Sequence, residues 1–332
     1  MKRVVTFGEV LMRLSPPAQE RLFQSPTLRT YFGGSEANTA ASLAHFGARV
    51  EHVTRVPDNA LGDAALAALR AEGVGVRACL RGGTRLGLYF VEGGADVRPL
   101  RVVYDRAGSS FSEIEPEHVH WDALLRGAEW FHVSGITPAL GEGPLRSVHA
   151  ALNAARAASV PVSLDLNYRP ALWVGRDPKP ILQPIARRAQ LLVANPGAIE
   201  VMLGIATKGT PPEPAPALRA TAEAVHAEYG CQRIAITQRE TLSASEHGWQ
   251  AFLWEAADGA LHAGGRHQVR VVDRVGGGDS FVAGLLHALL EGRPAADAVR
   301  FATAASALKL TIPGDFNRVT ADEVERLLSS HR

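Results

Sequence analysis

Little in the sequence suits secretion or a membrane. There are two cysteines, Cys79 and Cys231. They lie far apart without metal-ligand spacing, so we expect both to be reduced and structural. No apolar run is long enough to span a bilayer, and the start MKRVVTFGEVLMRL lacks the continuous apolar core of a signal peptide. These absences predict a cytoplasmic protein.

Net charge is also nearly absent, at +1 from 35 Lys and Arg against 34 Asp and Glu. A chain with so little net charge has no overall field that would recruit nucleic acid or an anionic membrane. We therefore expect neither as a partner, and we expect the ligands to be small molecules.

Two loops that commonly bind phosphate are missing. The near match to G-x-G-x-x-G, GVGVRA at Gly73–Ala78, follows a predicted helix and leads toward a strand, which is the wrong order for a dinucleotide site. No G-x-x-x-x-G-K-[ST] P-loop occurs. His118 and His120 precede Trp121 in a charged stretch with a proline, where the spacing favours a surface loop or a helix start over a metal site.

What the chain does have is an alternation of short apolar runs with longer helical patterns. This alternation predicts a parallel sheet covered on both faces, in one large α/β domain. The predicted strands are Val4–Val10, Val50–Val56, Trp130–Ile136, Pro161–Asn167, Leu191–Asn195 and Arg233–Thr237. The predicted helices are Ser35–Phe46, Leu61–Glu72, Pro144–Ala158 and Ala217–Tyr229, the last preceded by a proline-rich surface loop at 208–217.

Two segments break this rhythm. LMRLSPP with LRTYFGG, and LGLYFVE with LRVVYDR, alternate in the manner of strands and have no helix of their own. They predict a small sheet that covers a cleft as a β lid. We expect the large domain to comprise 1–10, 33–85 and 109–332, and the lid to comprise 11–32 and 86–108.

The lid also predicts self-association. Its strand edges, with apolar side chains such as Phe32, Tyr89 and Phe90, would be exposed in a monomer. Such edges are commonly covered by a partner. We therefore expect a homodimer or a higher homo-oligomer that forms through the lid.

The stretch VVDRVGGGDSFVAGLLHALLEG, Val271–Gly292, carries the strongest chemical signal. VRVVD predicts a strand, and the apolar spacing from Phe281 predicts a helix. Glycines at such a junction allow close backbone approach and leave N–H groups pointing outward, which favours an anion. An aspartate there, Asp279, suits the removal of a proton from an acceptor hydroxyl during phosphoryl transfer.

The amides of the glycines Gly276, Gly277 and Gly278 would stabilise the transferring phosphoryl group. The alternative is that Asp279 only caps the helix, as acidic residues often do. Three consecutive glycines weigh against that alternative, because a cap needs only one permissive position.

The stretch DRVGGGDSFVAG resembles the D-T-x-G-A-G-D motif of the ribokinase-like (PfkB) carbohydrate kinases, and YFGGSEANTAASLAHFG (Tyr31–Gly47) resembles their N-terminal motif. The resemblance extends to TIPGDFN (Thr311–Asn317). It implies a three-layer αβα sandwich with a mostly parallel central sheet and a small β-sheet lid. GLYF, VVYDRAGSS, HVSGITPAL and SLDLNYRPALW are similar to the branch that acts on 2-keto-3-deoxygluconate. The implied activity is ATP- and Mg²⁺-dependent phosphorylation of that sugar acid to its 6-phosphate, in catabolism of the Entner-Doudoroff type.

The resemblance implies a role for each matching residue. Asp279 would be the general base, and Gly276 and Gly278 would help to form the anion hole. Arg106 and Arg169 would bind the acid end of the sugar, since guanidinium groups pair with carboxylates bidentately. The sugar site as a whole would comprise Gly33, Gly34, Asn38, Tyr89, Tyr104, Arg106, Arg169 and Asp279. The alternatives are that the arginines are solvated, that the tyrosines only pack the lid, and that Asp165 only orders the loop that carries Arg169.

The nucleotide side departs from the family pattern. The usual Asn-x-x-Glu element falls at NPGAIE, which keeps Asn195 but has Ala198 in place of the glutamate and Glu200 two residues later. Magnesium would then be held through water, by Glu200, or by the nucleotide oxygens alone. In ITQRETLSASEHGWQAF, the phosphate would contact Thr237 and Arg239, and the base would lie near His247 and Gly248.

The glycine motif itself has two changes, Arg274 for the usual Thr and Gly277 for the usual Ala. Family members often bind a monovalent cation such as K⁺ near the carboxylate that corresponds to Asp273, and we admit one here. Other readings stay open: a kinase of the same fold for fructose or for keto-deoxygalactonate, a non-catalytic sugar-binding regulator, or an oxidoreductase, which the missing dinucleotide loop disfavours.

Overall fold

A large, mostly parallel sheet runs through the middle of the molecule. The computed structural model describes residues 2–207 and 214–330. The strands of the described residues are β1 (Arg3–Phe7), β2 (Leu11–Ser15), β3 (Arg29–Gly33), β4 (Arg49–Val53), β5 (Arg55–Val56), β6 (Leu80–Arg81), β7 (Leu88–Glu92), β8 (Arg101–Asp105), β9 (Trp130–Ser134), β10 (Val162–Asp165), β11 (Leu191–Ala194), β12 (Arg233–Thr241), β13 (Glu246–Glu255) and β14 (Leu261–Arg270). The helices are α1 (Ser35–His45), α2 (Ala60–Ala71), α3 (Trp121–Leu125), α4 (Glu142–Ala157), α5 (Lys179–Ala186), α6 (Pro196–Leu203), α7 (Ala215–Tyr229), α8 (Gly277–Leu290), α9 (Ala295–Lys309) and α10 (Ala321–Ser330).

The large sheet has eight strands in the order β14-β13-β12-β11-β10-β9-β1-β4. Its pairs from β4 to β12 are parallel, and the last two, β12 with β13 and β13 with β14, are antiparallel. The parallel strands β9 and β11 are buried along their whole length, because helices cover both faces of such a sheet. The predicted α/β sandwich with a mostly parallel sheet is confirmed.

The alternation of side chains along each strand divides the core into two layers. Leu192 and Ile234 pack in the layer that includes α4 and α7, whereas Leu191, Val193 and Ala235 pack in the layer that includes α1, α8 and α9. Successive side chains of a strand point to opposite faces of the sheet, so apolar runs as short as LLVA feed both layers. This is why the buried strands show continuous apolar sequence.

The predicted strands and helices are present, with different ends. The run Val50–Val56 is two strands, β4 and β5, which join different sheets. The prediction of a strand at VRVVD was wrong for its second half, because β14 ends at Arg270. Arg270 pairs with Glu246, the first residue of β13, so the described chain offers no partner strand for the next residues. Of the proline-rich loop, 208–213 lies outside the described residues.

The small sheet has four strands in the order β3-β2-β7-β8, with β3 and β8 at its edges. Its strands come from the two segments that the sequence analysis set apart, although the division into large domain and lid stays a prediction. One detail was wrong: Tyr89 is buried by its neighbours in the small sheet, with an exposed fraction of 6%. Phe32 and Phe90 are half-buried.

Other expectations concern membranes, cysteines and metals. None of the described helices is long and apolar enough to cross a membrane. Cys79 and Cys231 are both free thiols. His118 ends a short 3₁₀ turn just before α3, in agreement with the predicted helix start. Among the residues that the structure describes, no group of His, Cys, Asp and Glu is arranged to hold a metal ion.

Candidate active site

A cleft of about 600 Å³ opens beside the small sheet, where the parallel strands of the large sheet end. Side chains that follow the carboxyl ends of β10 and β11 line it, together with residues of β12 beyond its pairing with β11, the first turn of α1 and the loop that enters α8. Ligands bind at this edge of parallel α/β sheets. Fourteen predicted site residues line the cleft: Gly34, Asn38, Tyr89, Tyr104, Arg106, Arg169, Asn195, Thr237, Arg239, His247, Gly276, Gly277, Gly278 and Asp279.

The loop that enters α8 presents backbone amides to this cleft. Gly276 precedes the helix with φ of 83°, a left-handed conformation that favours glycine. A Cβ on Gly276 would also lie 2.2 Å from the carbonyl oxygen of Asp315, whereas a Cβ on Gly278 would meet only open space. The amides of Gly277, Gly278 and Asp279 donate to no protein group in the described part of the chain. An N-terminus with free amides in a cleft is an anion site.

Asp279 lies at the centre of the site, and both of its carboxylate oxygens are held. Nδ2 of Asn38 donates to Oδ2 at 2.7 Å, and the Ser35 hydroxyl donates to Oδ1 at 3.1 Å. Asn167 in turn donates to the Ser35 hydroxyl at 2.7 Å. Burial raises the pKa of Asp279, and the hydrogen bond from Asn38 and the charge of Arg169 oppose that rise. A carboxylate with a raised pKa is a better proton acceptor than an exposed one.

A second buried carboxylate lies near the first. Burial, and then the charge of Asp279, raise the pKa of Asp165 to about 7, against the charge of Arg169. Oδ1 of Asp165 accepts a hydrogen bond from the amide of Asn167 at 3.0 Å, which orders the loop that leads to Arg169. This hydrogen bond supports the interpretation of Asp165 as a loop-ordering residue. Asp165 also lines the cleft.

The first turn of α1 brings the backbone close to the cleft. A Cβ on Gly34 would lie 2.0 Å from the carbonyl oxygen of Glu9, so the close approach of two chain segments requires glycine there. Glu36 is buried beneath, where its carboxylate accepts hydrogen bonds from Ser134 and Thr137. Burial raises the pKa of Glu36, and these hydrogen bonds oppose the rise. Glu36 thus fixes α1 to the sheet end.

On the small-sheet side, two aromatic rings and an arginine are stacked. Tyr89 and Tyr104 stack with ring centroids 5.9 Å apart, and the Arg106 guanidinium lies over Tyr104 at 5.8 Å. Nε of Arg106 donates to Oε2 of Glu9 at 2.8 Å, and the Ser109 hydroxyl also donates to Glu9. Arg106 therefore already has a carboxylate partner inside the protein.

The opposite side of the cleft is strongly cationic. Arg169, Arg239 and Arg274 line it, and within the described residues none of them makes a salt bridge or a side-chain hydrogen bond. Burial and the charges of Arg239 and Arg169 lower the pKa of Arg274 to about 10. Burial, Arg239 and Arg274 lower the pKa of His247 to about 4, and both ring nitrogens of His247 are buried without a partner. Arginines that have no carboxylate partner among the described residues, beside N–H donors that are also unpaired, are suited to bind a polyanion.

Four predicted site residues do not line the cleft. Gly33 lies behind Gly34, where a Cβ would come within 2.3 Å of the Asp315 carboxylate. Gly248 lies against the side chains of Arg266 and Glu240 on the hairpin. Glu200 is exposed, accepts a hydrogen bond from Thr207, and offers nothing to the cleft. Asp273 is buried in an ion pair with Arg13 at 2.8 Å.

Asn195 lines the cleft, but its side chain already has a structural role. It caps α6, and its Oδ1 accepts a hydrogen bond from the amide of Ala198 at 2.9 Å. This leaves its amide nitrogen, a donor, and the second lone pair of Oδ1 for a ligand. Of the two residues of NPGAIE considered for magnesium, Asn195 therefore lines the cleft and Glu200 does not.

Sequence reasoning missed several members of the site. Ser35 and Asn167 contact the chain of hydrogen bonds that ends on Asp279, and Glu9 neutralises Arg106. Ser35 and Asn167 stand inside the segments GGSEAN and DLNYRP, so their proximity to assigned residues was the available signal. Glu9 had no such signal, because its partner Arg106 is 97 positions away in the sequence.

Comparison with known proteins agrees with this geometry. The sequence matches the pfkB family carbohydrate kinase description over residues 1–320. A 2-dehydro-3-deoxygalactonokinase of Haloferax volcanii is 31% identical over 98% of this chain and 96% of its own. A 2-dehydro-3-deoxygluconokinase of Thermoproteus tenax is 30% identical over 99% of this chain and 95% of its own.

Among solved structures, a 2-dehydro-3-deoxygluconokinase of Thermotoga maritima superposes with a TM-score of 0.95 and 43% identity, over 99% of this chain and 98% of that one. The protein therefore belongs to the pfkB family of carbohydrate kinases. It is a sugar kinase with the ribokinase-like fold, and the family predicted from the two motifs is confirmed.

Proposed function

We propose that the protein phosphorylates 2-keto-3-deoxygluconate (2-dehydro-3-deoxygluconate) at its terminal hydroxyl, with ATP as the donor. The observation that carries the proposal is the cleft in which a buried carboxylate, Asp279, lies beside free helix amides and unpaired arginines. Relatives that cover nearly the whole chain are kinases of sugar acids of this kind. The names of these relatives and the chemistry of the cleft point to the same substrate class.

The reaction assigns one task to each part of the site. As the hydroxyl oxygen of the sugar bonds to the γ-phosphorus, its proton passes to the Asp279 carboxylate and the bond from that phosphorus to the β–γ bridging oxygen breaks. The leaving ADP carries away the electron pair of that bond. The amides of Gly277 and Gly278 stabilise the charge on the phosphoryl oxygens during the transfer. Asn38 and Ser35 hold the Asp279 carboxylate in place, so the base is oriented before the substrate arrives.

We assign the acid end of the sugar to Arg169 first. Its guanidinium lines the cleft without a partner among the described residues, so it is free to pair with a carboxylate. Arg106 is already bound to Glu9. Its role is to shape the sugar pocket with Tyr89 and Tyr104, and to offer a carboxylate only the donors that Glu9 leaves free.

The triphosphate is assigned to the cationic side, between Arg239, Arg274 and the α8 amides. Magnesium would be carried in with the nucleotide, where it neutralises the phosphate charge and polarises the transferring group. Asn195, Thr237 and His247 complete this side of the cleft. Asp273 is a poor candidate for a monovalent cation site, because it already pairs with Arg13 and the ammonium of Lys309 lies nearby.

A coupled assay of ADP release across a panel of sugars tests the proposal. We expect turnover with 2-keto-3-deoxygluconate at far higher kcat/KM than with fructose, ribose or a nucleoside. Preference for a neutral sugar would contradict the substrate assignment and leave the fold and the kinase class untouched. Measurable sugar binding without any ADP release would favour the non-catalytic regulator instead.

The galactonate epimer is a second candidate substrate, and one observation favours it. The Haloferax volcanii relative acts on 2-dehydro-3-deoxygalactonate, by its name. The two sugar acids share the carboxylate and the terminal hydroxyl, so Arg169 and Asp279 would serve both. The ratio of kcat/KM for the two epimers, measured with the same preparation, decides between one substrate and dual use.

We further propose that the kinase acts in the cytoplasm, where ATP is available, and that it forms a homodimer through the small sheet. The exposed edges of β3 and β8 support the dimer, as do Val97 and Val103, which are 91% and 40% exposed. Light scattering at micromolar concentration tests it. A monomer that retains full turnover would contradict the dimer.

A further inference from the structure

Lys309, the last residue of α9, is completely buried, at 0% exposure. Its Nζ donates to the carbonyl oxygens of Gly314 at 2.9 Å and Ile312 at 3.1 Å. No carboxylate oxygen of the described residues lies within ion-pair distance of it. The ammonium is therefore held by backbone carbonyls near the end of a helix, where the macrodipole also favours a cation. Carbonyl oxygens are the ligands with which proteins surround a dehydrated K⁺ ion.

This ammonium lies directly behind the glycine loop. A Cβ on Gly276 would come within 3.1 Å of Cε of Lys309 and 2.2 Å of the carbonyl oxygen of Asp315. Burial lowers the pKa of Lys309 to about 8 and the charge of Asp273 opposes that shift, while the charge of Lys309 is among the influences that oppose the burial-raised pKa of Asp279. Lys309 thus packs against the glycine loop, and its charge interacts with those of both Asp279 and Asp273.

The carboxylates at this place are already occupied. Asp273 accepts hydrogen bonds from the amides of Val275 at 3.1 Å and Gly314 at 3.0 Å, and it pairs with Arg13 at 2.8 Å. Arg13 also pairs with Asp315 at 3.0 Å. The buried group contains the cations Arg13 and Lys309 and the anions Asp273 and Asp315, so its charges balance.

A further cation would unbalance that buried group, and burial of an unpaired charge is costly. One carboxylate oxygen, Oδ1 of Asp315, has no hydrogen-bond partner within residues 2–207 and 214–330. It lies against Gly33, where a Cβ would come within 2.3 Å of it. The residues present therefore do not fit the dissociable K⁺ that the family resemblance admits at Asp273.

We propose that the Lys309 ammonium is a built-in cation that replaces the dissociable monovalent ion behind the anion site, so that the enzyme is independent of K⁺. Lys309 is a positioning residue: it contacts the carbonyls of the 312–314 loop and supports the glycine loop from behind. The inferred effect of Lys309 on phosphoryl transfer rests on the proposed kinase function. Its effect on the stability of the fold does not depend on that function, and the two effects are measured separately.

The first test exchanges ions around the unmodified protein. Turnover and Tm are measured in K⁺, Na⁺ and choline chloride at constant ionic strength, with Mg²⁺ and ATP saturating. We expect both quantities to be the same in the three salts. Saturable activation or a raised Tm specific to K⁺ would overturn the proposal. Because Tm needs no turnover, this arm decides even if no sugar in the panel is a substrate.

The second test uses two variants that differ in whether room is left for an ion. Lys309→Ala removes the charge and opens space beside the carbonyls, and Lys309→Met removes the charge but fills the space. We expect both to lose Tm and turnover, and we expect K⁺ or NH₄⁺, but not choline, to restore a part of each in Lys309→Ala alone. Lys2→Ala, which loses an exposed lysine paired with Glu129, is the control for lysine removal.

Full turnover of Lys309→Ala in choline would overturn the proposal, as would equal rescue of both variants by K⁺. If Lys309→Ala folds only in K⁺, the salt-dependent recovery of its folded signal is itself the expected rescue. If it folds in no salt, rescue has failed and the proposal is overturned as well.

Discussion

Nδ2 of Asn38 lies 2.7 Å from Oδ2 of Asp279, although the two residues are 241 positions apart. The contact joins the N-terminal and the C-terminal motif of the chain. Since burial raises the pKa of Asp279 and the Asn38 amide opposes that rise, the hydrogen bond both orients the base and sets the pH at which it is ionised.

Asp279→Asn keeps the shape of the side chain and removes its ability to take a proton. We expect kcat to fall on the order of a thousandfold or more, with sugar binding largely retained. Single-turnover kinetics and calorimetric titration of the sugar measure the two effects. Asp297→Asn, in the exposed first turn of α9, is the matched control. A variant with unimpaired turnover would leave Asp279 with only a capping role.

Asn38→Ala should move the pH dependence of turnover. Without the Asn38 donor the pKa of Asp279 rises further, so the carboxylate is protonated at higher pH and the acid limb of the kcat profile shifts upward. The comparison is a kcat profile from pH 5 to 9 beside that of Asn153→Ala, an exposed asparagine on α4. An acid limb that stays in place or moves to lower pH would show that the ionisation of Asp279 does not control turnover.

Sequence patterns could predict these elements for a physical reason. A buried parallel strand needs a continuous apolar run, and a helix that starts in a cleft needs glycine near its first turn, so both leave local signals. β9, β11 and the loop at Gly276–Gly278 were found in this way. The strand predicted at VRVVD was misplaced because strand ends depend on where the partner strand begins.

The pairings between distant residues left no such signal. Arg106 and Glu9 are 97 positions apart, and Arg13 and Asp315 are 302 positions apart. Lys309 stands in an otherwise apolar and small-residue stretch, FATAASALKL, which was a local hint of burial. Its ammonium contacts the Ile312 and Gly314 carbonyls in the turn after α9, and the charge of Arg13, on a strand of the small sheet, acts on it. Such contacts depend on the tertiary fold, so a short stretch of sequence does not predict them.

Substitution of Arg169 should change substrate binding, whereas substitution of Arg106 should change folding stability. Arg169 has no partner in the part of the chain that the structure describes, so Arg169→Ala should raise KM for the sugar acid by roughly 10- to 100-fold and leave Tm nearly unchanged. Arg106→Ala leaves Glu9 buried without its cation, which costs on the order of 3–5 kcal/mol of folding stability. Steady-state kinetics with acid and neutral sugars, and thermal unfolding, give the two readouts. If Arg169→Ala raises KM for ATP instead, Arg169 belongs to the phosphate side.

Arg274→Thr restores the residue usual for the family and removes one unpaired cation. We expect KM for ATP to rise by roughly tenfold, the effect of one charge-assisted hydrogen bond, and KM for the sugar to stay. Wild-type KM for ATP should also rise with salt more steeply than that of the variant. Arg266→Ala, which removes an arginine already paired with Glu240 on the hairpin, is the control. If both substitutions changed KM for ATP equally, the assignment of Arg274 to the triphosphate site would be wrong.

Asp165→Asn should change how stability depends on pH. The carboxyl of Asp165 has an ordinary pKa of 3.8 and a pKa of about 7 in the folded protein. Between these values the folded state holds a proton that the unfolded state has lost, so stability falls as pH rises through this window and is level above it. Asparagine never ionises, and its Oδ1 can still accept the hydrogen bond from the Asn167 amide.

We therefore expect Asp165→Asn and wild type to have similar Tm near pH 4, and the variant to be the more stable above pH 7. Thermal unfolding from pH 4 to 8 measures the difference. Because the charge of Asp279 contributes to the raised pKa, the same comparison made in an Asp279→Asn background should show a smaller gap that levels off at a lower pH. A variant less stable than wild type at pH 8 would mean that the Asp165 charge stabilises the folded site, through Arg169, by more than its burial costs.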